Sequence, residues 1–112
     1  MHELSITRNV VAIAADAARG RKVLGVTLAI GKRSGVLADA VAFCFDTVVE
    51  GTALEGAKLH IIEPEARATC RDCGTAFAVA DLVAICACGS RSVQCEGGDE
   101  LLVKSIEIEG AA

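Results

Sequence analysis

Polar and apolar positions along the chain change period several times, and each change marks an element. Over residues 4–19, Leu4, Val11, Ala14 and Ala18, flanked by Val10 and Ala17, recur at helical spacing while Arg8, Asp16 and Arg19 fall elsewhere, which predicts an amphipathic helix stopped at Gly20. Residues 23–30 then alternate. Leu24, Val26, Leu28 and Ile30 share one face and Val23, Gly25, Thr27 and Ala29 the other, which is the period of a strand. Gly31-Lys32-Arg33-Ser34-Gly35 ends it. Leu37, Ala40, Val41, Cys44, Phe45 and Val48 form a second helical stripe over residues 37–50, broken by the glycines at 51 and 56. Residues 58–65 read as a second strand ending at Pro64, and residues 101–109 as a third, with Ile106 and Ile108 opposite Glu107 and Glu109.

Every cysteine except Cys44 lies between the last two strands. That placement predicts an α+β fold: two helices packed on a small three-stranded sheet, with a zinc-ribbon-like module inserted before the final strand. The expected division is residues 1–66 plus 97–112 for the helix-and-sheet domain and 67–96 for the insert.

With 112 residues, the chain is the size of one domain plus an appendage. A formal charge of -4 argues against a partner held by its phosphates, so nucleic acid is not expected. The apolar runs at 10–15 and 82–88 are far shorter than the roughly 18 residues a membrane span needs, and the start of the chain lacks the basic and apolar regions of a signal peptide. A cytoplasmic protein is expected, with no membrane partner. In that compartment thiols stay reduced, so six cysteines point to metal rather than to disulfides.

Cys70-Arg71-Asp72-Cys73-Gly74 is a C-x-x-C-G knuckle, and Cys86-Ala87-Cys88-Gly89 forms a second cluster. Two such turns brought together present four thiolates to one tetrahedral zinc ion, and a closed four-cysteine site is structural. The second pair is C-x-C, however. Neighbours at i and i+2 point apart in an extended chain, so Cys95 is an alternative ligand in place of Cys86 or Cys88. A redox use of C-x-x-C ranks below zinc, because a second cysteine cluster follows. Cys44, between two phenylalanines, reads as a small buried hydrophobe, and His60 as a surface residue.

His2 has its own chemistry. A free α-amine, the His2 amide nitrogen and the imidazole can close adjacent chelate rings on one ion, a nitrogen-rich planar set that suits Ni(II) or Cu(II). The bulky second residue is expected to keep Met1 in place.

Met1-His2-Glu3-Leu4-Ser5, Ile30-Gly31-Lys32-Arg33-Ser34-Gly35-Val36, Phe43-Cys44-Phe45-Asp46, Cys70-Arg71-Asp72-Cys73-Gly74, Cys88-Gly89-Ser90 and Val103-Lys104-Ser105-Ile106-Glu107 together resemble the HypA/HybF family of hydrogenase nickel-incorporation proteins. The likeness runs over nearly the whole length, and it departs from the family at the second pair, where the family has C-x-x-C. It implies a nickel-binding domain of helices on a three-stranded sheet, an inserted zinc domain, and transported Ni(II) held at Met1, His2 and Glu3. It also implies a HypB-type GTPase as partner and the [NiFe]-hydrogenase large subunit as recipient, with urease served in some organisms. A homodimer is left open. A carrier of this kind is not an enzyme; two histidines at 2 and 60 without an H-E-x-x-H motif do not make a catalytic zinc site. The competing reading is a zinc-ribbon interaction module that recruits a partner without carrying nickel, and it differs in being indifferent to His2.

Overall fold

A computed structural model describes residues 2–110. The element order is α1 (Glu3–Ala18), β1 (Val23–Ile30), α2 (Ala38–Val48), β2 (Lys58–Ile62), β3 (Ala66–Cys70), β4 (Ala76–Val79), β5 (Val93–Glu96) and β6 (Leu101–Ile108). Two three-stranded sheets result, one ordered β2-β1-β6 and the other β4-β3-β5. The fold is α+β, as the alternation of periods predicts. No described helix is long and apolar enough to cross a membrane.

The chain gathers into two compact units. One holds the residues up to Ala29, Leu37–Ile62 and those from Leu102 on; the other holds Ile30–Val36 and Glu63–Leu101. In the first, β1 is the central strand and is covered on both faces, with Val23, Val26, Leu28 and Ala29 at most 2% exposed. β2 pairs with it in parallel, from Gly25 against Lys58 to Ala29 against Ile62. Parallel neighbours need a crossover, and α2 lies in that connection. β6 runs antiparallel to β1: Glu109 N donates to Lys22 O at 2.9 Å and Gly31 N to Glu100 O at 2.7 Å, tying opposite ends together. Phe45, Leu28, Leu54, Val23, Val26 and Val41 are the large side chains that fill the first unit's core.

α1 packs on α2, and its buried line is Glu3, Thr7, Val10, Val11, Ala14 and Ala18. The predicted stripe is right at Val10, Val11, Ala14 and Ala18 and wrong at Ala17, which is exposed, and at its start, where Leu4 is 45% exposed. Two polar residues hold the first turn instead, because each has a partner. Thr7 Oγ1 donates to Glu3 O at 2.7 Å, and Glu3 Oε2 accepts Leu37 N at 3.1 Å. Burying polar atoms costs little when they are so paired. The helix stops at Arg19, left-handed at φ 52, followed by Gly20 at φ +85. In α2, Val41 and Phe45 are buried, Cys44 is half-buried rather than buried, and Leu37 and Phe43 are exposed.

The second unit contains β3, β4 and β5, none of which the sequence pattern revealed. β3 is central, antiparallel to both neighbours: Ala66 to Thr69 face Val79 to Ala76, and Arg67 to Cys70 face Glu96 to Val93. Its core is slight. Ala66, Ala68 and Val79 are buried, and Phe77, Ala84 and Cys95 pack around them. The unit also takes in residues 30–36, which lie far from it in sequence. Arg33 N donates to Gly98 O, and Lys32 N to Pro64 O at 2.9 Å. The Arg33 guanidinium donates to Asp81 O and Leu82 O, each at 2.9 Å. The approach is close enough that a Cβ on Gly31 would collide with the Gly98 carbonyl. These contacts join Ile30–Val36 to Glu63–Leu101 in one unit.

Candidate metal centre

Cys70 is the last residue of β3, and the strand hands the chain directly into the first knuckle. There Gly74 N donates to Cys70 O and Cys70 N to Thr75 O, both at 2.9 Å, while Cys73 N points at Cys70 Sγ, 3.5 Å away. Gly74 sits at φ +77, where a side chain would be strained. The second knuckle repeats this pattern with one residue fewer. Gly89 N donates to Cys86 O at 2.8 Å and Cys86 N to Ser90 O at 2.9 Å, and Gly89 is at φ +91. The missing residue is thus absorbed by closing the turn one residue sooner. Residues 86–88 are not extended, so the two sulfurs of the C-x-C pair need not diverge.

The four sulfurs of Cys70, Cys73, Cys86 and Cys88 all lie within 4.8 Å of one another. Across the knuckles, Cys70 Sγ is 3.7 Å from Cys88 Sγ and Cys73 Sγ is 3.5 Å from Cys86 Sγ. Zinc–thiolate bonds of about 2.3 Å at tetrahedral angles set sulfurs about 3.8 Å apart, so the cluster has the size of a zinc site. Each knuckle buries its first cysteine and exposes its last.

Electrostatics point the same way. Cys73 falls to about 6, chiefly through its hydrogen bond with Thr75 Oγ1, and Cys70 is lowered through the Cys73 amide. In the second knuckle the shifts reverse. The Cys88 amide favours the Cys86 thiolate, but burial and the three neighbouring sulfurs outweigh it and push Cys86 up to about 12. Cys88 is raised likewise, the Ser90 amide and Cys86 being outweighed by Cys70, burial and Cys73. Four sulfurs this close resist ionising together by mutual repulsion, and a dication relieves that repulsion.

Cys95 is not brought into the cluster. It stands in β5 opposite Ala68, half-buried against the small core. His60 is exposed on β2, in register with Thr27. Of the three residues expected at a nickel site, Met1 lies outside the described residues. His2 is exposed and caps α1 with a left-handed backbone at φ 61, its carbonyl accepting Ile6 N at 3.0 Å. Glu3 is buried, with one carboxylate oxygen on Leu37 N. The pairing of Glu3 with Leu37, 34 residues apart, had no signal in the sequence. Neither did a link between the knuckles, in which Ser90 Oγ donates to Asp72 Oδ2.

With this geometry in view, comparison with known proteins becomes specific. The family model described as hydrogenase/urease nickel incorporation, metallochaperone, HypA matches residues 1–108. The hydrogenase maturation factor HypA of a Nostoc species is 49% identical over 109 residues, covering 97% of this chain and 96% of that protein. Its counterpart in Geobacter sulfurreducens is 46% identical over 110 residues, covering 97% of this chain and all of that protein. The solution structure of the Ni metallochaperone HypA from Helicobacter pylori superposes with a TM-score of 0.65 at 26% identity, over 96% of this chain and 97% of that one. Another HypA solution structure gives 0.67 at 27% identity, over 99% and 98%. A match of this extent, on a chain with four cysteines placed to bind a metal ion, shows that the protein belongs to the HypA family of hydrogenase and urease nickel-incorporation metallochaperones.

Proposed function

We propose that this chain is a cytoplasmic nickel carrier rather than an enzyme. It takes Ni(II) as cargo at Met1, His2 and Glu3 and delivers it to the large subunit of [NiFe]-hydrogenase, working with a HypB-type GTPase. Cys70, Cys73, Cys86 and Cys88 hold a structural zinc ion, which supplies folding free energy to the unit around it. The observation that carries the nickel reading is His2, exposed at the open end of α1 in a chain of this family. A carrier needs cargo ligands that a partner can reach, and an exposed imidazole at a helix start meets that need. The cysteine cluster does not, because it closes four thiolates around one site, two of them buried.

Glu3 supports the same reading through position. Its bond to Leu37 N fixes the start of α1 on the start of α2, so the adjoining His2 is held at a fixed place at the helix start. The test is nickel titration of the purified protein with no N-terminal tag, alongside His2→Ala. Loss of nickel binding in His2→Ala, with zinc content unchanged, is the expected result. Equal nickel affinity and stoichiometry in the two proteins overturns the N-terminal site and favours the partner-recruiting reading instead.

A further inference from the structure

We propose that Asp72 and Ser90 form a latch across the two cysteine knuckles, and that the latch sets how slowly the site gives up its metal. Neither residue is a ligand. Asp72 is the residue before Cys73 in the first knuckle, and Ser90 follows Cys88-Gly89 in the second. Ser90 Oγ donates to Asp72 Oδ2, so the bond joins one knuckle to the other.

Ser90 is a hub in this arrangement. Its carbonyl accepts Cys86 N at 2.9 Å and so closes the second knuckle. Its hydroxyl accepts Ser92 N at 3.0 Å while donating to Asp72. Ser92 O in turn accepts Arg71 N at 2.8 Å, which returns the chain to the first knuckle beside Asp72. Residues 71–72 and 90–92 are therefore stitched to one another across the two knuckles.

Cys73 and Cys88 are the exposed member of each pair, so a proton or a competing chelator reaches their thiolates before those of Cys70 and Cys86. Losing the ion requires the knuckles to part, and the latch spans them next to that exposed pair. The second knuckle has lost a residue of slack, so its sulfurs hold position only while the turn keeps its place relative to the first. The Asp72–Ser90 bond supplies that constraint. Groups beyond the ligands that orient a metal site commonly change its affinity by about 10- to 100-fold.

The inference rests on the zinc reading of the cluster, and the experiment separates the two. The full-length protein is loaded with one zinc per chain, and release to a chromogenic chelator is followed by stopped flow. Asp72→Ala and Ser90→Ala each speed release about tenfold. Asp72→Asn, which keeps an acceptor oxygen, and Ser90→Thr, which keeps the hydroxyl, stay near the wild-type rate. Asp72→Ala combined with Ser90→Ala is no faster than the faster single variant, because both remove one bond. Cobalt-substituted variants keep the wild-type thiolate charge-transfer band, since the four ligands are untouched. Asp72→Ala also guards against a folding defect in Ser90→Ala, as it leaves the Ser92 N bond intact. Wild-type release rates in both alanine variants, multiplicative effects in the double variant, or loss of the cobalt band each overturn the latch. Wild-type protein that binds no zinc under reducing conditions overturns the zinc reading and the latch together.

Discussion

Replacing Cys70 with serine should unfold the cysteine-bearing unit while leaving the helix-and-sheet unit intact. Cys70 is 1% exposed, ends β3, and closes the first knuckle through both its amide and its carbonyl. The three buried core side chains around that strand are Ala66, Ala68 and Val79. At about 0.8 kcal/mol for a buried methyl and about 2 for a valine, they contribute about 3–4 kcal/mol. Structural zinc held by such ligands is worth about 10–16 kcal/mol. Metal binding thus outweighs the burial of that core cluster several-fold, and the small core cannot stand in for it. Hydrogen exchange read by mass spectrometry, on protein whose zinc content is measured in parallel, resolves the two units. Protection across β3, β4 and β5 should fall to that of an open chain, while α1, β1 and α2 keep theirs. Chelation of the wild-type protein should do the same, and Cys44→Ala should do neither. A zinc-free Cys70→Ser protein that keeps slow exchange in β3 and β5 would refute this reasoning, by showing that the small core and sheet suffice.

Cys95→Ser should keep one zinc per chain and lose at most about 1 kcal/mol of packing, whereas Cys86→Ser should lose its zinc; the reverse pattern in elemental analysis would put Cys95 in the ligand set. Phe45, 1% exposed, and Phe43, 83% exposed, stand two residues apart on α2: Phe45→Ala should cost about 3–5 kcal/mol in denaturant unfolding and Phe43→Ala under about 0.5. Gly31→Ala should cost about 3 kcal/mol or more, since its Cβ would meet the Gly98 carbonyl; an unchanged melting temperature would count against that close approach. Nickel binding should weaken on acidification, because protons compete for the imidazole and the amine, and metal analysis across a pH series should show nickel leaving before zinc.

Period and spacing made much of the fold legible in the sequence. The switch from helical to alternating apolar positions located α1, β1, α2, β2 and β6, because each of these is long enough for its period to show. The two cysteine clusters pointed to a zinc ribbon because ligand spacing in such turns is a local property. The remainder depended on contacts between residues distant in the chain. β3, β4 and β5 are four or five residues long, too short for a period to show, and they are strands because they pair with one another around a small core beside the cysteine cluster. Leu4 lost its place on the buried face of α1 to Glu3, whose partner at Leu37 lies on another element. The choice of Cys88 over Cys95 depended on how early the second turn closes, a matter of the Cys86 carbonyl and the Gly89 amide rather than of cysteine spacing. Which residues cross-link the knuckles was also beyond the sequence, since a hydrogen bond between Asp72 and Ser90 exists only once both turns are folded against each other.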